Sequence, residues 1–167
     1  MQDRQVFERL TTKYMDSVYR VLLHSCGSVE DAEDLLQETF LKLWNREEEF
    51  DSDENVKRWL IRVAVNASHS LWRKHRKREL SLEEVPVEPG ALQEHQIEIF
   101  DAIGKLPVKY REVIYLYYYE GYRTNEIAEI LKKTDSAVRS RLKRARDLLK
   151  KELGVETIEK RTEGEPG

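Results

Sequence analysis

Between Ser136 and Arg146 the chain carries four arginines and one lysine (Arg139, Arg141, Lys143, Arg144 and Arg146) and no acid. Cations at that density contact phosphate oxygens, and an arginine fork can also meet a base edge through two parallel hydrogen bonds. A solvated helix normally interleaves glutamate with lysine at i,i+4 spacing to offset its own repulsion. That offset is missing here, so an anionic partner is the expected counterion. The apolar residues of the same stretch, Val138, Leu142, Ala145 and Leu149, are spaced four, three and four apart, so one side packs and the other stays cationic. A second row, Arg58, Arg62, Asn66, Ser70 and Arg73, recurs at steps of four and three. It suits nucleic acid in the same way, with cations for phosphate and an amide that can read a base edge. Trp59 and Trp72 flank that row. An aromatic among bases can stack on an unpaired nucleotide, but tryptophan at helical spacing more often packs inward, and Trp59 is expected in the core.

Other chemistry finds no footing. The one cysteine, Cys26, and the four histidines fall into no zinc-ligand spacing. Asp51, Asp53 and Asn55 briefly mimic a calcium loop, but Val56 stands where its glycine belongs and Arg62 where its bidentate glutamate belongs. No carboxylate cluster or activated nucleophile converges, so no enzyme, metal or cofactor is expected.

The elements that must position these rows are helices. Thr124 is a candidate N-cap for a short helix carrying Ile127, Ala128 and Leu131; Lys132 and Lys133 fill a turn, and Thr134 caps the longer cationic helix. Together they form a helix-turn-helix with its outward residues toward a major groove. Upstream, residues 3 to about 25 line up Phe7, Leu10, Tyr14, Val18, Val21 and Leu22, with Gly27 as a C-terminal cap. Ser28 and Asp31 resemble a capping box for a helix to about Asn45, with Val29, Ala32, Leu36, Phe40 and Leu43 inward. Asp31, Asp34, Gln37, Glu38 and Lys42 lie on its other face. Residues 46–55 read as a polar loop, and a third helix then turns Val56, Leu60, Val63, Ala67 and Leu71 inward. Further on, Ile97, Phe100, Ile103 and Leu106 mark a short helix before Pro107, and the next helix buries Val113, Leu116 and Tyr117 before Gly121. The reading is all-α: two small helical domains, residues 1–78 and 95–153, joined by a flexible acidic linker, 79–94, and followed by a disordered tail, 154–167.

Composition agrees with a soluble helical chain: 40% of the 167 residues are hydrophobic and 37% charged. No apolar run approaches the roughly 18 residues of a membrane span, and MQDRQVFERL lacks a secretory core, so a cytoplasmic protein without membrane insertion is expected. The net charge is −3 but segregated, with acids crowding 30–54 and 79–98 and bases crowding 57–78 and 139–151. A chain acidic overall should bind DNA weakly when free, because phosphate neutralisation supplies most non-specific affinity.

Assembled in order, DAEDLLQETFLKLW (31–44), RWLIRVAVNASHSLWRKHRKR (58–78), LPVKYREVIYLYYYEGYRTNEIAEIL (106–131) and SAVRSRLKRAR (136–146) resemble a bacterial RNA polymerase sigma factor of the extracytoplasmic-function (ECF) group. The resemblance spans residues 4 to 153 and implies the second and fourth sigma regions. It implies that Asp34, Gln37 and Glu38 face the clamp of core RNA polymerase, with the flap as a further contact. Asn66 would contact an extruded base of the −10 element, with Arg58, Arg62, Ser70 and Arg73 nearby and residues 50–56 in the pocket. Ser136, Arg139, Ser140, Lys143 and Arg144 would meet the −35 major groove of promoter DNA. Lys132 stands where the family's turn usually has glycine. The resemblance further implies an anti-sigma partner, in many such systems membrane-anchored. The competing reading is a stand-alone helix-turn-helix regulator that binds duplex DNA as a dimer.

Overall fold

The computed structural model describes residues 3–74, 94–156 and 158, and of residues 94–97 the backbone alone. The chain divides into two compact units, Met1–Glu79 and Leu80–Gly167. In the first, Asp3 accepts the backbone N–H groups of Gln5 and Val6 on Oδ1 at 2.9 and 3.2 Å and so starts α1, Arg4–Cys26. Gly27 ends it at φ 74°, a left-handed cap that costs glycine nothing. Ser28 Oγ then accepts the Asp31 N–H and starts α2, Val29–Asn45. The polar loop is shorter than expected. Ser52 Oγ accepts the Asn55 N–H at 3.2 Å, and α3 runs Asp53–Lys74 with Asp53 and Glu54 in a first turn that favours acids.

The three helices pack on one another around Leu10, Val18, Val21 and Leu22 of α1, Ala32, Leu35, Phe40 and Leu43 of α2, and Val56, Leu60, Ile61, Ala64 and Val65 of α3. Two expected stripes are therefore corrected. In α2, Leu35 rather than Leu36 is buried. In α3, Val63, Ala67 and Leu71 are half-buried, while Ile61, Val65 and Ser68 lie inside. The buried face of α3 is turned by about 70° from the expected stripe, at 3.6 residues per turn, because α3 packs against both α1 and α2.

Two polar ties fix the ends of this bundle. Trp72 donates its indole N–H to the Ser25 carbonyl at 2.9 Å, beside a Cys26 Sγ to Ser68 Oγ contact of 3.2 Å. At the other end Arg9 grips both carboxylate oxygens of Asp53, at 2.6 and 3.2 Å, and Lys13 reaches Oδ2 at 3.1 Å. The Arg9 hydrogen bonds, then that of Lys13, hold the Asp53 carboxyl down at about 2 against an ordinary 3.8.

In the second unit, α4 (Glu94–Gly104) ends before Pro107, which leads α5, Val108–Ile114. Arg111 is fully buried and donates Nη1–H to the Gly104 carbonyl at 3.1 Å, placing a cation at the C-terminal end of α4, where it complements the helix dipole. α5 continues as a π-helical turn, Tyr115–Tyr119. The wider turn buries Tyr115 and Tyr117 and leaves Tyr119 47% exposed. α6 spans Thr124–Leu131 and α7 Asp135–Leu153, and α4, α5 and α6 all pack on α7. The described residues contain no strand. The basic run 75–78, the linker 79–93 and the tail residues 157 and 159–167 lie outside the described residues.

Candidate nucleic-acid interface

The helix-turn-helix is set by three backbone devices. Arg123 is extended at φ −76°, ψ 159°, and its N–H donates to Glu126 Oε1 at 3.1 Å, so Arg123 caps α6. Thr124, expected as the cap, is the first helical residue and is buried. At the turn, Lys132 sits at φ 55°, ψ 47°; its N–H donates to the Glu129 carbonyl at 3.4 Å, and the Lys133 N–H donates to that of Ala128 at 2.9 Å. That pair of bonds is a Schellman motif built on lysine instead of glycine. Thr134 Oγ1 then accepts the Ala137 N–H at 3.1 Å and starts α7 as expected.

All four residues of the α7 stripe, Val138, Leu142, Ala145 and Leu149, are buried. Ser136, Arg139, Ser140, Lys143 and Arg144 are exposed on the other side. Two guanidiniums already have partners within the chain: Arg139 Nε lies 2.9 Å from Asp135 Oδ2, and Arg146 Nη1 donates to Tyr118 Oη at 3.4 Å. The first is an exposed i,i+4 pair of little energetic weight, so Arg139 can exchange it for a phosphate or a base. The second draws Arg146 to the flank of the helix.

On α3, Arg62 and Arg73 are exposed and Arg58, Asn66 and Ser70 half-buried. Arg73 Nη2 donates to Ser70 Oγ at 3.1 Å. The row expected from spacing thus faces away from the buried side. Asn66 and Ser70 open into a groove of ≈350 Å³ shared with α2, lined also by Val63, Leu71, Leu35 and Glu38. Residues 50–53 line a cavity with Asp3, Val6, Arg9 and Leu10. Trp59 is half-buried, not core: Phe50 meets it edge-on at 5.6 Å, and the Arg46 guanidinium lies 5.0 Å from its ring. Trp72 is held against α1, so neither tryptophan is a free stacking platform.

The acidic helix α2 exposes Asp34, Gln37 and Glu38, and Glu38 pairs with Lys42 at 3.4 Å. Sequence reasoning missed Leu41, which at i+7 from Asp34 stands on that same face and is 60% exposed. Trp44, one turn on, is 36% exposed and rests edge-on against Phe7 at 5.0 Å. The available signal was an apolar residue at i+3 from Glu38 and i+4 from Gln37 on an otherwise acid and amide face. Among the described residues no group of His, Cys, Asp or Glu is placed to hold a metal ion, and no helix is long and apolar enough to cross a membrane.

Residues 10–78 match the Sigma-70 region 2 family and residues 96–149 the Sigma-70, region 4 family. The chain is 36% identical over 145 residues to the ECF RNA polymerase sigma factor SigM of Bacillus subtilis, covering 82% of this chain and 88% of that one. It is 31% identical over 163 residues to the probable RNA polymerase sigma factor RfaY of Xanthomonas campestris; there the match takes in 90% of this chain but only 41% of the relative's length. The sigma factor RpoE, solved in complex with the anti-sigma factor NepR from Bartonella quintana, superposes with a TM-score of 0.76 at 26% identity, over 92% of this chain and 99% of that one. These likenesses leave the stand-alone dimeric regulator without support. The chain belongs to the ECF RNA polymerase sigma factors, non-enzymatic subunits that bind core RNA polymerase and direct promoter-specific initiation.

Proposed function

We propose that residues 1–78 bind polymerase and the −10 element, that residues 95–153 read the −35 element, and that residues 79–94 tether the two. Asp34, Gln37 and Glu38 then face the polymerase clamp, with Leu41 adding apolar contact; the flap meets the second unit. Arg58, Arg62, Ser70 and Arg73 hold the −10 backbone while Asn66 takes an extruded base, and Ser136, Arg139, Ser140, Lys143 and Arg144 enter the −35 major groove. Extruding a base costs a few kcal/mol, least where pairing is already weak, and polymerase contacts offset that cost. The observation that carries the reading is α7: a fully buried apolar stripe with an exposed row of Arg139, Ser140, Lys143 and Arg144 opposite it. The RpoE relative was solved with an anti-sigma factor, and on that likeness an anti-sigma protein, free or membrane-anchored, is a partner of this chain, acting in the cytoplasm.

Run-off transcription with core polymerase tests the assignment. Arg139→Ala with Arg144→Ala should lower initiation from promoters with an intact upstream element about 10-fold or more, since a bidentate arginine discriminates by ~1–3 kcal/mol. Gln37→Ala with Glu38→Ala should instead reduce capture of core polymerase at unchanged helix content. Normal initiation by the first pair, or normal capture by the second, removes the corresponding assignment.

A further inference from the structure

The groove between α2 and α3 has an apolar floor and cations in its wall. Val63, Ala67 and Leu71 of α3 are half-buried where they open into it, and Leu35 of α2 lines it beside them. Two exposed lysines line the same groove, Lys42 of α2 and Lys74 of α3, against one acid, Glu38, among the described residues. Glu38 already pairs with Lys42 at 3.4 Å, which leaves the groove cationic. That pair is an exposed i,i+4 contact of little energetic weight, so a phosphate can take the place of Glu38 at Lys42. Lys42 lies about 100° round α2 from Leu41, at 3.6 residues per turn. It therefore stands on a flank, between the outer face of Asp34, Gln37 and Leu41 and the buried stripe. A volume of ≈350 Å³ falls at the lower end of the ~300–1,000 Å³ of ligand pockets, room for one nucleotide and not for a duplex. Proteins that take a base out of its stack hold it against apolar side chains and read its edge by hydrogen bonds. Val63 and Leu71 supply the first and the Asn66 amide the second. Such a nucleotide also brings a phosphate on either side of it, and Lys42 and Lys74 are the cations in the wall that can meet them.

We infer that Lys42 and Lys74 are promoter contacts that hold the phosphates on either side of the −10 nucleotide seated at Asn66. The helix α2 then grips DNA with one flank while its outer face meets polymerase. The inference rests on reading Asn66 as the residue that takes the extruded base. It adds to that reading two cations outside the row Arg58, Arg62, Ser70 and Arg73, one of them on the helix assigned to polymerase. Because lysine meets a phosphate as a point charge, these contacts add affinity for the strand without choosing among bases.

The test uses holoenzyme assembled from core polymerase and the full chain. The probe is a fluorescent single-stranded oligonucleotide carrying the non-template −10 strand of a promoter found by run-off transcription. Lys42→Gln and Lys74→Gln should each weaken retention of that strand about 3- to 10-fold, whichever base stands at the extruded position, and flatten the dependence of log Kd on log salt by ~0.7, the value of one phosphate contact on a single strand. Lys42→Arg should keep the parent's affinity and slope, and capture of core polymerase should be the same in all three. Asn66→Ala should instead level the preference among the four bases and leave the salt slope as it is. If the lysine variants keep the parent's affinity and slope while Asn66→Ala levels the preference, the lysine contacts are refuted and the −10 reading stands. If Asn66→Ala has no effect, the −10 reading falls and the lysine contacts with it. Weaker retention at an unchanged salt slope would overturn the inference, since no phosphate contact has then been lost. Reduced capture of core polymerase by Lys42→Gln would overturn it as well, by giving that flank of α2 to a protein partner.

Discussion

Lys132 offers the sharpest test of the helix-turn-helix geometry. It is the one non-glycine residue with positive φ among the described residues, at φ 55°, ψ 47°. An L-residue there sets Cβ against the following carbonyl at a cost of ~1–2 kcal/mol, which glycine does not incur. Glycine in turn loses more chain entropy on folding, by ~0.4–1 kcal/mol. Lys132 is exposed, and both Schellman bonds are made by backbone atoms, so Lys132→Gly forfeits no contact. The net expectation is stabilisation of the second unit by about 0.5–1 kcal/mol. Hydrogen exchange of the Leu131 and Val138 amides should slow by a factor of about 2 to 5, at ~1.4 kcal/mol per decade, with amides of the first unit as unchanged controls. Lys132→Val should act in the opposite direction, because a β-branched side chain is still less tolerant of this region. A Lys132→Gly chain that exchanges as fast as the parent, or faster, would refute the left-handed turn.

Asp53 predicts an acid response with a definite sign. Its carboxyl is held at about 2 against an ordinary 3.8, so the stability it lends is present above pH 3.8 and fades as pH falls toward 2. Melting of the first unit followed against pH should show that loss in the parent chain and a shallower one in Asp53→Asn, which should also melt lower at neutral pH; identical profiles would discard the Arg9–Asp53–Lys13 clip. Leu142→Ala, at a site 2% exposed, should destabilise the second unit by ~2–5 kcal/mol in urea melts, and a smaller loss would mean the stripe is not the packing seam. Asn66→Ala should slow promoter opening, read by permanganate footprinting of the −10 region, without changing capture of core polymerase; unchanged opening would remove Asn66 from the base-reading role.

The α7 helix was legible residue by residue because its apolar spacing, its Thr134 cap and its missing acids all pointed one way, and every residue of its stripe is buried. The outward row of α3 was legible too, although its inward face was not. Val56, Leu60, Val63, Ala67 and Leu71, spaced four, three, four and four apart, make one continuous helical arc. Ile61, Ala64 and Val65 are equally apolar, so pattern alone could not choose between the two arcs. The choice falls to packing against both α1 and α2, a tertiary fact. Burial of Arg111 and Glu112 was hidden for a related reason: charge reads as surface until a partner such as the Gly104 carbonyl is known. At Arg123 and Thr124 the expected cap was off by one, since a backbone N–H bonded to Glu126 replaces the side-chain hydroxyl.

Trp44, Trp59 and Trp72 all lie in the unit Met1–Glu79, whereas Tyr110, Tyr115, Tyr117, Tyr118, Tyr119 and Tyr122 lie in Leu80–Gly167. The molecule is thereby colour-coded along its own length. Light at about 295 nm, absorbed by indole and hardly by phenol, interrogates the first unit without any label, and Trp44, 36% exposed and edge-on to Phe7, is one of its emitters. Docking onto the enzyme should register as a shift in the indole emission of the first unit while the second unit, which carries no tryptophan, stays optically silent.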